Sequence, residues 1–110
     1  MRFSLGIPVA FALAGSLAAI AAEVGDPRAG YAVASAICAQ CHAVGAADAI
    51  SPNSDAPAFS SVAKRSEMTG RALAVWLQTS HPTMPNIILG QGERNNVIAY
   101  IMSLKPIPPP

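Results

Sequence analysis

The chain has 110 residues with a net charge of +1, and 52% of its residues are hydrophobic. This length predicts a single domain. Residues 23–110 alone carry six basic and six acidic residues, and such a neutral segment is a poor candidate for binding nucleic acid or an anionic membrane.

The N-terminal stretch predicts a secretory signal peptide covering residues 1–22. Arg2 supplies the positive charge, the residues that follow are apolar or small, and Ala19-Ile20-Ala21 is an A-x-A type cleavage signal, with Ala22 as an alternative end. The competing interpretation is an uncleaved membrane anchor, which needs about 20 apolar residues. This run is short and is interrupted by two glycines and a proline, so cleavage and a periplasmic location are favoured.

The first predicted helix begins at Asp26-Pro27, an N-cap residue followed by proline at the first helical position. Apolar and small residues then recur with the spacing of one helix face. These residues are Gly30, Val33, Ala34, Ile37 and Cys38. The helix therefore carries Cys38 on its buried side. A glycine in a helix costs about 1 kcal/mol relative to alanine, and one retained there usually permits close approach of another backbone.

The run Cys38-Ala39-Gln40-Cys41-His42 is a C-x-x-C-H motif, the pattern of c-type haem attachment. Two thiols three positions apart on a helical turn project to one side, where each can form a thioether with a haem vinyl group. The imidazole of His42 can then bind the iron. The motif predicts one haem c, attached through Cys38 and Cys41, with His42 as an axial ligand.

Three other uses of the two cysteines are alternatives to haem attachment. They are a structural disulfide, a thioredoxin-like redox pair and a zinc site. The redox pair requires a βαβ setting, and nothing in the chain predicts a strand-rich domain. A zinc site needs two further ligands, whereas the chain has no third cysteine and His81 as its one other histidine. Haem attachment is therefore favoured.

With this motif, residues 26–105 resemble a small bacterial class I c-type cytochrome. The resemblance implies an all-α fold in which three main helices and a short helix enclose one covalently bound haem. It also implies that Gly30, eight residues before the first cysteine, lies where the N-terminal helix crosses the C-terminal one. The family often has an aromatic residue where this chain has Ala34. Tyr31 is a candidate replacement for that aromatic residue, and a surface tyrosine is the alternative.

Residues 43–56 lack periodicity and are rich in small and polar residues, which predicts an irregular loop. Such a long loop is unusual in a compact domain unless it surrounds a bound group. A short helix is expected from Pro57 to about Arg65. The resemblance implies that a proline carbonyl here binds the second ring nitrogen of the axial histidine and fixes its tautomer. Pro57 is the first choice and Pro52 the alternative.

The next helix is predicted from Thr69, as N-cap, to His81, because the residue before Pro82 disfavours helical geometry. Its apolar stripe includes Trp76, the single tryptophan. A large amphipathic side chain of this kind is expected to pack near the haem edge with its N–H hydrogen-bonded.

Met84 follows in the run His81-Pro82-Thr83-Met84-Pro85, a proline-rich segment without helical periodicity. The resemblance places a Met-Pro pair in the loop that faces the second side of the haem, so Met84 is the expected sixth iron ligand. A soft sulfur ligand raises the redox potential. His81 is the competing ligand, while Met68 and Met102 are expected to fill the core.

The last predicted helix starts near Glu93, where an acidic side chain suits the helix dipole, and ends at Pro106. Its core stripe consists of Val97, Ile98, Ile101 and Leu104. The resemblance implies that Tyr100 packs against Gly30. The expected organisation is thus a leader at 1–22, a haem domain at 23–105 and an extended proline-rich tail at 106–110.

The function that the resemblance implies is single-electron transport by a protein that is not an enzyme. Both axial positions are assigned, to His42 and Met84, and no nucleophile with its base or paired carboxylates appears elsewhere. The expected partners are periplasmic or membrane-bound redox proteins, and a monomer without strong membrane binding is expected after leader cleavage. The alternatives are the haem subunit of a larger dehydrogenase and, if Met84 is displaceable, a haem protein that binds or senses a ligand.

Overall fold

The computed structural model describes residues 2–10 and 25–110, so the predicted leader lies largely outside the described residues. Within these two ranges all regular secondary structure is helical, and no helix is both long and apolar enough to cross a bilayer. The α-helices are α1 (Pro27–Ile37), α2 (Phe59–Lys64), α3 (Gly70–Trp76) and α4 (Gln91–Ser103). A 3₁₀ turn, Cys38–Gln40, continues directly from α1. The predicted all-α fold of three main helices and a short one is confirmed.

The crossing of α1 over α4 organises the core, since these two helices share the most extensive contact between described helices. Gly30 is buried at the crossing. A Cβ atom on Gly30 would overlap the Asn96 carbonyl and lie 2.9 Å from the Cβ of Tyr100. The N–H of Asp26 also donates to Asn96 Oδ1, at 2.8 Å. The predicted contact of Gly30 with Tyr100 is confirmed, and it exists because no side chain separates the two backbones.

Tyr100 also ties α4 to the irregular loop after the C-x-x-C-H motif. Its phenol O–H donates to the backbone carbonyl of Val44. Its ring packs against Tyr31, with ring centroids 5.2 Å apart and planes inclined by 59°. Tyr31 remains 49% exposed, so it is both a partner of Tyr100 and a surface tyrosine. The crossing therefore holds the loop as well as the two helices.

Helix starts follow the predicted capping residues. The side chains of Asp26 and Thr69 accept backbone N–H groups two and three residues ahead, at 2.9 and 3.1 Å. Helix α4 begins at Gln91, slightly before the predicted Glu93. The Glu93 carboxylate accepts the N–H of Gly90, at 3.2 Å, and so satisfies one of the donors that a helix N-terminus leaves unpaired.

The sequence predicts that helix α3 continues to His81. In the structure it ends at Trp76. The amide nitrogen of Gln78 donates to the Ala74 carbonyl at 2.7 Å, and the Thr79 hydroxyl donates to the Val75 carbonyl at 2.8 Å. These side chains occupy carbonyls that a longer helix would pair with its own backbone N–H groups. The backbone N–H of Gln78 donates to the Val75 carbonyl, at 3.1 Å, so the chain leaves the α-helical pattern here and the side chains of Gln78 and Thr79 add donors at the helix end.

The core is small and draws on every helix. Val97 is fully buried and Ile101 is 2% exposed, as the predicted stripe of α4 requires. Met68 is buried and Met102 packs against the core, both as predicted. Apart from the Tyr100 phenol, which is hydrogen-bonded, and the Cys38 thiol, no polar or charged side chain is buried among the described residues. Residues 106–110 are exposed and lie outside any helix.

Candidate functional site

One cleft brings together the four side chains that the sequence singles out, Cys38, Cys41, His42 and Met84. The other side chains that line it are mostly apolar and come from all four helices and the loops between them. They are Ile37, Gln40, Pro57, Phe59, Val62, Arg65, Met68, Leu73, Trp76, Leu77, Pro85, Ile87 and Ile101. An apolar cleft that reaches the core of so small a domain suits a large apolar group that is held by bonds to the chain.

The C-x-x-C-H run forms a single tight turn at the end of α1. The N–H groups of Cys41 and His42 both donate to the Cys38 carbonyl, at 3.2 and 2.9 Å. Cys38 is buried, Cys41 is partly buried, and the two sulfurs are not bonded to each other. The turn therefore presents both thiols and the imidazole to one cleft.

The chemistry of Cys38 argues against a thioredoxin-like redox pair. Burial raises the pKa of the Cys38 thiol above its ordinary value, whereas redox-active cysteines need a lowered pKa to form the reactive thiolate. The described residues also contain no strand that could form a βαβ unit.

A zinc site has no more support than a redox pair. Over residues 2–10 and 25–110, no three His, Cys, Asp or Glu side chains are grouped closely enough to hold a metal ion. A structural zinc site needs four such ligands.

His42 is held in a defined orientation by Pro57. Its Nδ1 lies 2.6 Å from the Pro57 backbone carbonyl. A carbonyl oxygen only accepts hydrogen bonds, so Nδ1 carries the proton and Nε2 keeps a lone pair that can bind a metal. The ring also packs on Phe59, with centroids 5.3 Å apart. Pro57, and not Pro52, is the partner of the predicted axial histidine.

The segment that carries Met84 is non-helical, as predicted, and two hydrogen bonds shape it. His81 Nε2 lies 2.7 Å from the Trp76 carbonyl, and the Ser80 hydroxyl donates to Asn86 Oδ1 at 3.1 Å. Sequence reasoning missed both contacts. The available signal was the cluster of polar side chains just beyond a helix end, where such groups tend to bond free carbonyls.

A family model for cytochrome c matches residues 27–105, which include all four helices and the cleft. The chain belongs to the cytochrome c family. Its members are typically electron carriers rather than enzymes, and this cytochrome has the C-x-x-C-H spacing that attaches haem c covalently through Cys38 and Cys41.

The same relationship appears in a comparison with a whole protein. This cytochrome is 38% identical to cytochrome c-552 of Bradyrhizobium diazoefficiens over 102 residues, which are 92% of this chain and 94% of that protein. No solved structure matches the chain.

The residues of the cleft fit a covalently attached haem. Two thiols on one turn can form the thioethers, and the imidazole of His42 has a free Nε2 lone pair. Met84 adds a soft thioether to the lining of the same cleft. The remaining lining is mostly apolar, which suits the faces of the macrocycle.

Trp76 lies at the edge of the cleft, where the sequence predicts that it packs near the haem edge. It lines the cleft of the cytochrome, yet 52% of it is exposed. Its ring lies against His81, with centroids 4.2 Å apart and planes inclined by 44°. Trp76 therefore forms part of the rim of the cleft rather than part of its packed interior.

Proposed function

We propose that this cytochrome carries single electrons between periplasmic or membrane-bound redox proteins, with the haem iron bound axially by His42 and Met84. The observation that best supports this is the meeting of two thiols, one imidazole and one thioether at one apolar cleft. When bound, haem supplies an Fe(III)/Fe(II) couple whose potential the axial ligands set.

Each side chain has a separate part in this proposal. Cys38 and Cys41 hold the haem by thioether bonds. His42 offers Nε2 because Pro57 accepts the Nδ1 proton, and this contact also makes the imidazole a more basic ligand. Met84 supplies a soft sulfur that favours the reduced iron. The mostly apolar lining would limit the contact of the haem with water.

The first experiment is the absorption spectrum of the purified holoprotein, oxidised and reduced, with and without carbon monoxide. We expect the weak red band of methionine-bound ferric haem and a reduced spectrum that carbon monoxide leaves unchanged. Absence of the band together with ready binding of carbon monoxide would refute a closed carrier and favour a haem protein that binds a ligand.

The variant Met84→Ala tests the sixth ligand directly. It removes the thioether and should open the iron to carbon monoxide and cyanide, with loss of the red band. Met68→Ala is the control, because Met68 is another methionine of the same cleft and is expected to leave that band in place. An unchanged Met84→Ala spectrum would eliminate Met84 as the ligand.

The location and the carrier role are tested on protein exported by the host cell. Cleavage after residue 22 predicts an intact mass equal to residues 23–110 plus one haem, recovered from the periplasmic fraction. A mass that retains residues 1–22 would favour a membrane anchor. Purification as part of a stable stoichiometric complex would favour the subunit of a larger dehydrogenase over a free carrier.

A further inference from the structure

We propose that His81 is a positioning residue for Met84, acting together with the Ser80–Asn86 contact. The inference rests on the proposed function, since it assumes that Met84 is the sixth ligand. His81 holds the loop of residues 82–86, which carries Met84, to the end of α3. We call this attachment and the Ser80–Asn86 contact the clasp. In this role His81 is not a competing ligand.

The first support is the way the chain leaves α3. Three carbonyls in a row at the end of this helix, those of Ala74, Val75 and Trp76, accept side-chain donors. The donors are Gln78 at 2.7 Å, Thr79 at 2.8 Å and His81 at 2.7 Å. The backbone between the helix and the loop is therefore fixed at each step up to His81.

His81 contacts Trp76 in two ways, through a hydrogen bond and through ring packing. Because the Trp76 carbonyl can only accept, Nε2 of His81 carries the proton and donates it. The imidazole also packs against the indole of Trp76, with centroids 4.2 Å apart. A hydrogen bond and a ring contact to the same residue fix both the position and the direction of the side chain.

The second support is the closure of the loop itself. The Ser80 hydroxyl donates to Asn86 Oδ1 at 3.1 Å, and this bond joins the two ends of the segment that contains Met84. Pro82 and Pro85 flank Met84 and restrict the backbone further. The segment is therefore closed at its base, attached to α3 on one side and stiff on both sides of the sulfur.

The consequence concerns how firmly a weak ligand stays bound. A neutral thioether is held on iron only if the loop that carries it loses little conformational entropy on binding. The clasp already restricts the loop when the chain folds, so little further conformational entropy is lost when Met84 binds the iron. Loss of the clasp should therefore increase the fraction of time that Met84 is away from the iron.

The test is the rate of cyanide binding to the ferric holoprotein, which requires Met84 to leave. His81→Leu removes the donor and should raise this rate about five-fold, the factor expected for loss of one neutral hydrogen bond. His81→Gln places an amide N–H near the position of Nε2 and should restore a rate close to that of the wild type. Ser80→Ala should raise the rate by a similar factor, whereas Ser66→Ala, a serine in another loop, should not.

A purely structural role predicts a different pattern. Ile98→Ala removes a partly buried side chain of α4 and lowers stability away from the loop. If His81 acted only through global stability, this variant would raise the cyanide rate as much as His81→Leu at equal loss of stability. That result, or a wild-type cyanide rate in both His81→Leu and Ser80→Ala, would overturn the inference.

The wild-type protein separates this inference from the proposed function. If the wild type lacks the red methionine band and binds carbon monoxide, Met84 is not the ligand and both proposals fail. If the wild type has the band but His81→Leu and Ser80→Ala both bind cyanide at the wild-type rate, the proposed carrier function stands and the clasp is refuted. If His81→Leu does not accumulate, Ser80→Ala and His81→Gln still decide between these outcomes.

Discussion

The Tyr100 hydroxyl is the clearest case of one polar atom that links distant parts of the chain. It lies in the core, yet it reaches a carbonyl of the loop after the haem-binding motif, that of Val44. Leaving a buried carbonyl without a hydrogen-bond donor lowers the stability of the fold by more than a typical hydrogen bond adds to it. The phenol therefore satisfies a group that the irregular loop would otherwise leave unpaired.

Replacing Tyr100 with phenylalanine should lower the free energy of unfolding by about 1–3 kcal/mol, because the Val44 carbonyl loses its donor while it stays buried. Denaturant unfolding at neutral pH measures this change. Tyr31→Phe is the matched control. Because Tyr31 is half-exposed, removing its hydroxyl should lower the free energy of unfolding by less than about 0.5 kcal/mol. Equal effects of the two substitutions would contradict the assigned role.

The same hydroxyl predicts a dependence of stability on alkaline pH. Burial, followed by the charges of Tyr31 and Asp48, raises the pKa of Tyr100 above its ordinary value of 10.0. A raised pKa means that the folded protein holds the phenolic proton more tightly than the unfolded chain. The contribution to stability is complete below pH 10.0 and is lost as the pH rises through the folded-state pKa.

Unfolding free energies of the wild type and Tyr100→Phe at neutral pH and above the ordinary tyrosine pKa test this sign. The difference between the two proteins should shrink at the higher pH, because only the wild type loses the protonated phenol. A difference that grows with pH would show that the phenol ionises more easily in the folded state.

Among the elements, the pair formed by α1 and α4 depends on a single missing side chain. At Gly30 an added methyl group would meet the backbone of Asn96, which cannot rotate away as a flexible side chain would. The two helices would have to move apart, and the contacts of the whole crossing would loosen.

The variant Gly30→Ala should therefore destabilise the protein by about 1–3 kcal/mol, the range for forced overpacking in a core. Gly92→Ala is the control within α4, because a methyl group there meets nothing within 4 Å. It should stabilise the helix by about 0.5–1 kcal/mol. Thermal unfolding of both holoproteins measures the two opposite shifts, and a stabilising Gly30→Ala would refute the close crossing.

The elements that the sequence predicted well are those determined by local signals. The N-caps Asp26 and Thr69, the helix face of Gly30 and the stripe of α4 depend on residues a few positions apart, and all of them were correct. The sequence also predicts Cys38, Cys41, His42 and Met84 as the haem-binding residues, and all four line one cleft. They were recognisable because each lies in a short motif.

The features that the sequence did not determine depend on contacts between distant or competing groups. At the early end of α3 the Val75 carbonyl accepts both the Gln78 N–H and the Thr79 hydroxyl, an arrangement that apolar periodicity does not report. The contact between the rings of Trp76 and His81 depends on how the chain turns after α3. Partners far apart in the chain, such as Tyr100 and Val44, leave no local pattern at all.

At the scale of the whole molecule, the cleft extends into the small apolar core. Its lining includes Leu73 and Ile101, which are also buried members of the main apolar cluster. A domain of this size buries too little surface to be robust by itself. The covalently attached haem is therefore expected to provide much of the apolar contact that keeps the helices together.

The double substitution Cys38→Ala with Cys41→Ala tests this dependence. Without the thioethers the chain should lose its haem on purification, and the cooperative thermal transition followed by circular dichroism should disappear. Met84→Ala is the control, because it keeps both thioethers and should retain a folded, haem-bound protein. A cooperative transition near the wild-type temperature in the double variant would show that the helices hold together unaided.

The crossing of α1 over α4 also sets an order of events during synthesis. Residues 38–90 separate α1 from α4, so the two helices cannot pair until that segment and α4 itself have been made. Up to that moment the turn at Cys38 belongs to an open chain. In the finished fold the Cys38 sulfur is buried. We therefore expect the thioethers to form more readily on the open chain than on the finished fold, and the late pairing of α4 with α1 leaves time for this.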